Sequence, residues 1–394
     1  MKRNNIVIYS FVFFVIVLFT VDTVTMALLG QHLHEIFIPQ KSEASVATQS
    51  SAMQCTDKPK IVDLAKATAP ELKKLGLAQD VCNSYVSNEV MIFTNMPKDE
   101  RVAKENAAKM ATILKEFSRY NVKPLVIAEP ETAWGLVDFV EFKNGFYDAW
   151  LNVYFAELKR LGITEKQMGT WVPFPEANLP YWNHANTQPK DFAILVNRYF
   201  AVLKKHFPKA EGSVLLNSAT YATDDFDWRN GEYLSLIPYV SGINKEYVQS
   251  FGLQGFPWTP PATDYGVNIS DAGEFINHHL AIAAAKELGV KKIWYNTGTF
   301  GRKYTNDPKS LALISAGERL NILRSIINEA LITKKSGYAV SVNLFSEDKS
   351  KTTEATDWSY FKKPQDTNAK DALVFGNFMD QMTKNGIPVS YFDK

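Results

Sequence analysis

The stretch that decides the fold is Val90-Met91-Ile92-Phe93-Thr94, then Ala103, Ala107, Met110, Ile113, Leu114 and Phe117 at helical spacing, then Pro124-Leu125-Val126-Ile127-Ala128. A short β-branched run, an amphipathic helix and a second apolar run make one strand–helix–strand unit, which builds a parallel sheet. Further along, a helix starting near Gly145 places Phe146, Ala149, Trp150, Val153, Tyr154 and Leu158 on one face. Trp171–Phe174 reads as a strand and Phe192–Leu203 as a helix. Strands follow at Ser213–Asn217, Val248–Gly255, Lys292–Tyr295 and Tyr338–Phe345, with helices at Phe275–Leu288 and Leu311–Leu331. Seven strands alternating with helices predict a (β/α)8 TIM barrel of class α/β, with the weak stretch Lys60-Ile61-Val62-Asp63, or one near it, as the eighth strand.

Ahead of that region, Lys2 and Arg3 precede an apolar run from Ile6 to Val21 that continues to Leu29. Residues 1–30 therefore read as a transmembrane anchor with the remainder on the outer side, or as a signal segment. Met26-Ala27-Leu28-Leu29-Gly30 matches a cleavage site poorly, which favours an uncleaved anchor. Residues 31–54 read as a flexible linker, since Lys41–Gln54 turns to Ser, Ala, Thr and Gln without periodicity. The barrel domain then spans 55–394. Cys55 and Cys82 are the chain's two cysteines, and a disulfide and two packed thiols both fit the sequence. With 43 basic and 42 acidic residues in 394, the chain lacks the basic excess of a nucleic-acid binder.

In a barrel of this kind the chemistry sits at the C-terminal ends of the strands. Polar residues that follow apolar runs there are Glu129 and Glu131, Glu176, Asn296, and Glu347 with Asp348. Paired carboxylates at such positions suit glycosidic cleavage, in which one protonates the leaving oxygen and the other serves as nucleophile or as base for water. Trp134, Trp182, Trp258 and Trp358 lie just past strand ends, where flat rings stack on sugars, although each is also an ordinary partly buried aromatic. The six histidines fall in no zinc-binding spacing, and no Gly-x-Ser-x-Gly elbow occurs. Neither a metal nor an organic cofactor is implied.

Gly145-Phe146-Tyr147-Asp148, the helix ending Leu158-Lys159, and Trp171-Val172-Pro173-Phe174-Pro175-Glu176-Ala177-Asn178 with Tyr181-Trp182 resemble the fourth-strand region of glycoside hydrolase family 26. That family contains β-mannanases and related β-glycan hydrolases, and its pattern there is His-Glu-x-Asn followed by Trp. The run Tyr247–Phe256 is similar to the family's sixth strand, Lys292–Gly298 to its seventh, and Asp357-Trp358 to the segment after its last. The resemblance implies Glu176 as general acid/base, with its pKa raised by burial among aromatics such as Trp182. It also implies Asn178, Trp182 and Phe256 as substrate-binding neighbours, joined by Trp134, Trp258 and Trp358. Five positions depart from the family. Asn296 stands where the nucleophile is carried, Pro175 replaces His, and Gln249, Gln254 and Phe256 replace Asp, Asp and Tyr. Three readings follow: a hydrolase of β-linked polysaccharide with a relocated second carboxylate, Glu131 or Glu347; a glycan-binding barrel without turnover; and a barrel whose cleft has no sugar role.

Overall fold

In a computed structural model the chain is described over residues 89–119, 123–132, 135–178, 189–218, 235–256, 276–298, 302–304, 311–313, 316–346, 348–349, 356–357, 377–378 and 380–393. The anchor, the linker, Cys55, Cys82 and Lys60–Asp63 all lie outside these residues. Among the described residues no helix is long and apolar enough to cross a membrane.

Among the described residues eight strands form one sheet: β1 Glu89–Asn95, β2 Lys123–Glu129, β3 Thr170–Pro173, β4 Glu211–Asn217, β5 Ser250–Gln254, β6 Lys292–Thr297, β7 Ala339–Ser346 and β8 Val389–Asp393. They are hydrogen-bonded in chain order and every adjacent pair is parallel. The edge strands β1 and β8 touch, so the sheet is curled and barrel-like. The eighth of these described strands, Val389–Asp393, was not expected from the sequence, while Lys60–Asp63 lies outside the described residues. Val389–Phe392 is β-branched and aromatic, and it pairs with Val342–Phe345 of β7. Val389 is its one aliphatic residue, which hides the strand from a search for long apolar runs.

Helices cover the outer face: α1 Glu100–Arg119, α2 Phe139–Asn144, α3 Asp148–Arg160, α4 Pro189–His206, the short α5 Ile237–Val240, α6 His278–Leu288 and α7 Ala316–Lys335. Their starts and stops have local causes. Asp138 caps α2 by accepting from the amides of Val140 and Glu141, and Gly145 ends that helix at φ 92°. This cap separates α2 from α3, so Phe146, expected on a buried face, sits in the turn and is 59% exposed. Leu311–Leu313, expected to open the last helix, is instead a strand of a four-stranded antiparallel sheet with Arg302–Tyr304.

Alternation along the strands divides the side chains into two sets. Ile92, Val126, Ala128, Val214, Leu216, Phe251, Leu253, Ile293, Tyr295 and Val342 pack outward into the helix layer. Met91, Leu125, Ile127, Val172, Leu215 and Trp294 form a separate cluster inside the curl. Contacts between strands that are not neighbours require the curvature. At the N-terminal end, Lys292 of β6 reaches both oxygens of Glu89 on β1 at 2.7 Å, and Lys123 of β2 bridges to Glu211 of β4 at 2.5 Å. One layer up, Trp294 Nε1 donates to Ser213 Oγ on β4 at 2.9 Å, passing over Gly252 of the intervening β5. A Cβ on Gly252 would stand 2.4 Å from the indole.

The indole and Gly252 thus fill the centre as one unit. The prediction is that Gly252→Ala destabilises the protein by about 1–3 kcal/mol through overpacking. Urea unfolding of the variant checks it, and an unchanged midpoint would show that the interior is not filled in this way.

Candidate functional site

The C-terminal end of the curl is a tier of polar side chains. Asn217, Gln254, Asn296 and Asn343 are in register across β4 to β7, and Asn95 is in register with Glu129 across β1 and β2. They share the inward parity of Ile127, Leu215 and Trp294. The interior is therefore ionic at its base, apolar at its middle and rich in amides at its mouth.

β3 contributes to this tier differently. It pairs with β4 only at Thr170 and Trp171, which leaves the upper half of β4 without a strand on that side. The backbone polar groups of that edge still need partners. The chain after β3 supplies them by turning sharply at two residues in the left-handed region, Phe174 at φ 52° and Glu176 at φ 53°. Each such non-glycine residue costs about 1–2 kcal/mol. Phe174 is the anchor that offsets this. Its amide donates to the Ala128 carbonyl at 3.1 Å, and its ring is turned outward, edge-on to Phe142 at 4.8 Å and to Phe139 at 5.7 Å.

From there the loop docks on β4. The Glu176 amide donates to the Leu215 carbonyl at 2.9 Å. Asn178 completes the pairing with its side chain: Nδ2 donates to the Asn217 carbonyl at 2.8 Å and Oδ1 accepts from the Asn217 amide at 2.9 Å. With its own backbone clamped, Asn217 donates from Nδ2 to Glu176 Oε1 at 2.5 Å. The carboxyl of Glu176 is thereby held at Oε1 against the end of β4.

The other sequence-identified residues divide between the mouth and positions remote from it. Asn296 is 3% exposed on β6, where Nδ2 donates to Gln254 Oε1 at 2.5 Å and Oδ1 is buried without a hydrogen-bond partner among the described residues. Phe256 follows β5 and is half-buried. Gln249 lies below β5 at the opposite end of the sheet, where its Oε1 accepts from the Gly212 amide at 2.7 Å, remote from the mouth. Asn178 is 2% exposed, and both polar atoms of its amide are spent on Asn217. Glu131 has its backbone in a two-residue hairpin strand after β2, but its side chain lies outside the described residues, as do Glu347, Trp134, Trp182, Trp258 and Trp358. Counted among the described strands, Glu176 follows the third and Asn296 lies on the sixth.

Two residues at the mouth were not singled out from sequence. Asn217 ends the apolar run Val214-Leu215-Leu216 and meets the strand-end rule that picked out the others. Phe93, in register with Ile127 on the inward face, is 37% exposed. An apolar strand residue is taken for core unless the parity of its neighbours is known.

No protein-family model matches the chain, and no curated protein matches it. Among solved structures, the chain is similar to the exo-β-1,4-mannosidase Op5Man5 from Opitutaceae bacterium strain TAV5, with TM-score 0.51 and 14% identity over 83% of this chain. It spans 58% of that protein's length. An endo-β-1,4-mannanase from Thermotoga petrophila follows at TM-score 0.43 and 10% identity, covering 75% of this chain and 70% of that one. A β-glucosidase from Thermotoga maritima in complex with deoxynojirimycin has TM-score 0.46 and 10% identity, covering 74% of this chain and 83% of that one. At these identities the likeness to the mannosidase establishes the fold alone, an α/β barrel-like sheet with helices outside.

The docking of the loop on β4 is testable without any ligand. Asn178→Ala strips two buried backbone groups of Asn217 of their partners, and each loss costs about 1–3 kcal/mol. The expected result in chemical denaturation is a clear drop in stability, with Asn178→Asp, which keeps only the acceptor, intermediate between Asn178→Ala and the unmutated protein.

Proposed function

We propose that the chain is a glycoside hydrolase acting on a β-linked polysaccharide such as mannan or glucan, with Glu176 as general acid. The observation that carries this reading is the backbone at Glu176. A charged residue is held in a left-handed conformation, at a conformational cost, so that its carboxyl lies over the C-terminal end of β4 against Asn217. Strain of this kind persists where surrounding contacts over-determine it, and Phe174 and Asn178 supply those contacts here.

The geometry suits proton donation. Oε1 accepts from the side-chain amide of Asn217, which holds the carboxyl at the end of β4 for proton transfer to the glycosidic oxygen. Phe93, inward on β1 and 37% exposed, offers an apolar ring for a sugar. The fold of a mannosidase and the resemblance of the Glu176 loop to β-glycan hydrolases agree with this substrate class. The apolar run after Lys2 and Arg3 supports placing the barrel outside a membrane, held there by residues 1–30.

A second reading, binding of glycan without turnover, is favoured by one observation. The mouth is lined by amides at Asn217, Gln254, Asn296 and Asn343, and Asn296 stands where the family resemblance puts a carboxylate nucleophile. Amides recognise sugar hydroxyls but form no glycosyl-enzyme ester.

Incubation of the protein and its Glu176→Ala variant with mannans and glucans separates the two readings. Reducing ends released by the unmutated protein alone support the hydrolase; binding by both proteins with no release supports the lectin-like barrel. In the hydrolase, Asn217→Ala is expected to lower kcat by about 10²–10³-fold with a smaller change in KM, because the acid loses its orientation and not its proton. Steady-state kinetics on the same substrates check it.

A further inference from the structure

We infer that the chain carries a second ligand site on the outside of the barrel, a groove between α3 and α4 that takes a carboxylate-bearing sugar, the uronic acid unit of a glycan. The groove encloses about 590 Å³, inside the range of about 300–1,000 Å³ common to small-molecule sites. Its third wall is the turn Asn244–Tyr247, which leads into β5. The chain enters the sheet there, at the end opposite the mouth, so a ligand in the groove needs no turnover at Glu176.

The chemistry of the ligand follows from what the groove leaves unspent. Its side-chain acceptors are taken. Both oxygens of Asp148 accept from the Arg198 guanidinium at 2.7 Å. Asn152 Oδ1 accepts from Lys205 Nζ at 3.1 Å and has His206 Nε2 at 3.0 Å. Asn197 Oδ1 accepts from the Asn244 amide at 2.7 Å, and Asn244 Oδ1 accepts from the Glu246 amide at 3.1 Å. Donors remain. Lys205 has used one of its three N–H groups, while Asn244 Nδ2 and the Tyr247 hydroxyl have no partner among the described residues. A groove with spent acceptors and open donors selects a ligand rich in acceptors.

Charge narrows the class. Arg198 is neutralised by Asp148 and spends a further N–H on the Lys143 carbonyl at 3.3 Å, so Lys205 is the uncompensated cation among the lining residues. The field beside it is positive, since burial and then the charges of Lys205 and Lys159 hold the adjoining His206 below its ordinary pKa. One exposed ammonium matches one carboxylate. Asn244 and Tyr247 supply neutral donors for hydroxyl and ring oxygens. Ala201 and the half-buried Tyr247 ring add apolar surface for the C–H face of a pyranose. Free phosphate or sulfate has no such face and carries two charges against a single cation.

The test is calorimetric titration of the full protein with oligogalacturonate and oligoglucuronate, with neutral manno- and gluco-oligosaccharides of equal length, and with inorganic phosphate and sulfate. The uronates are expected to bind at least about tenfold more tightly than the neutral sugars and than either inorganic anion. Their binding should weaken as ionic strength rises from about 0.05 to 0.5 M, because an exposed pair is screened. Lys205→Ala should lose about tenfold in uronate affinity, and Tyr247→Phe, which removes only the hydroxyl, about threefold to tenfold. Thermal unfolding shows that both variants are folded. Glu176→Ala should bind uronate as the unmutated protein does, which separates this site from the mouth. No uronate binding, equal affinity for neutral and acidic sugars, phosphate or sulfate binding as tightly as uronate, an affinity within about twofold in folded Lys205→Ala, or loss of uronate binding in Glu176→Ala would each overturn the assignment. None of these outcomes touches the hydrolase reading, which stands or falls on released reducing ends.

Discussion

The site depends on one transfer of hydrogen-bonding duty. β3 stops pairing with β4 after two residues, and the five-residue segment Phe174–Asn178 takes over the exposed edge with a backbone amide from Glu176 and the side-chain amide of Asn178. Backbone groups at a buried strand end must be satisfied, and a loop that satisfies them is held as firmly as a strand. The same contacts that complete the sheet therefore position the Glu176 carboxyl to within a hydrogen bond of Asn217. Structural and functional demands fall on the same few atoms here, which is why the loop tolerates two left-handed residues that are not glycine.

The interior below is graded to suit a mouth of this kind. Glu89, Lys123, Glu211 and Lys292 close the far end with ion pairs, the indole of Trp294 fills the centre over Gly252, and amides take the top layer. The Glu176 carboxyl seated above such a floor has the neutral amide of Asn217 beside it, and Lys123 and Lys292 lie at the opposite end of the strands. The polar residues are thus sorted by depth along the strands, and the sorting follows from a register that aligns equivalent positions across four strands.

Much of this was legible in the sequence. The alternation of strand and helix gave the class, and the positions of seven strands agree with the structure to within a few residues, because parallel strands buried on both faces read as continuous apolar runs. The Glu176 loop stood out by its polar residues after an apolar strand. What escaped is what depends on partners far away in the chain. The eighth strand, Val389–Asp393, is recognisable only by its pairing with β7, and the roles of Asn178 and Asn217 depend on a docking between two chain segments 39 residues apart. Asn178 is an instructive case: family resemblance reads it as a sugar contact, whereas burial and two hydrogen bonds make it a backbone clamp. Gln249 differs again, since its place below β5 takes it out of the mouth.

The most direct test of the central claim is a crystal structure of the Glu176→Gln protein with a β-1,4-linked oligosaccharide bound. The account predicts that the ligand lies across the mouth, with a glycosidic oxygen within hydrogen-bonding distance of the substituted side chain at position 176 and the loop still docked on Leu215 and Asn217. A ligand seated elsewhere, or a loop released from β4 with residue 176 turned away from the curl, would contradict it.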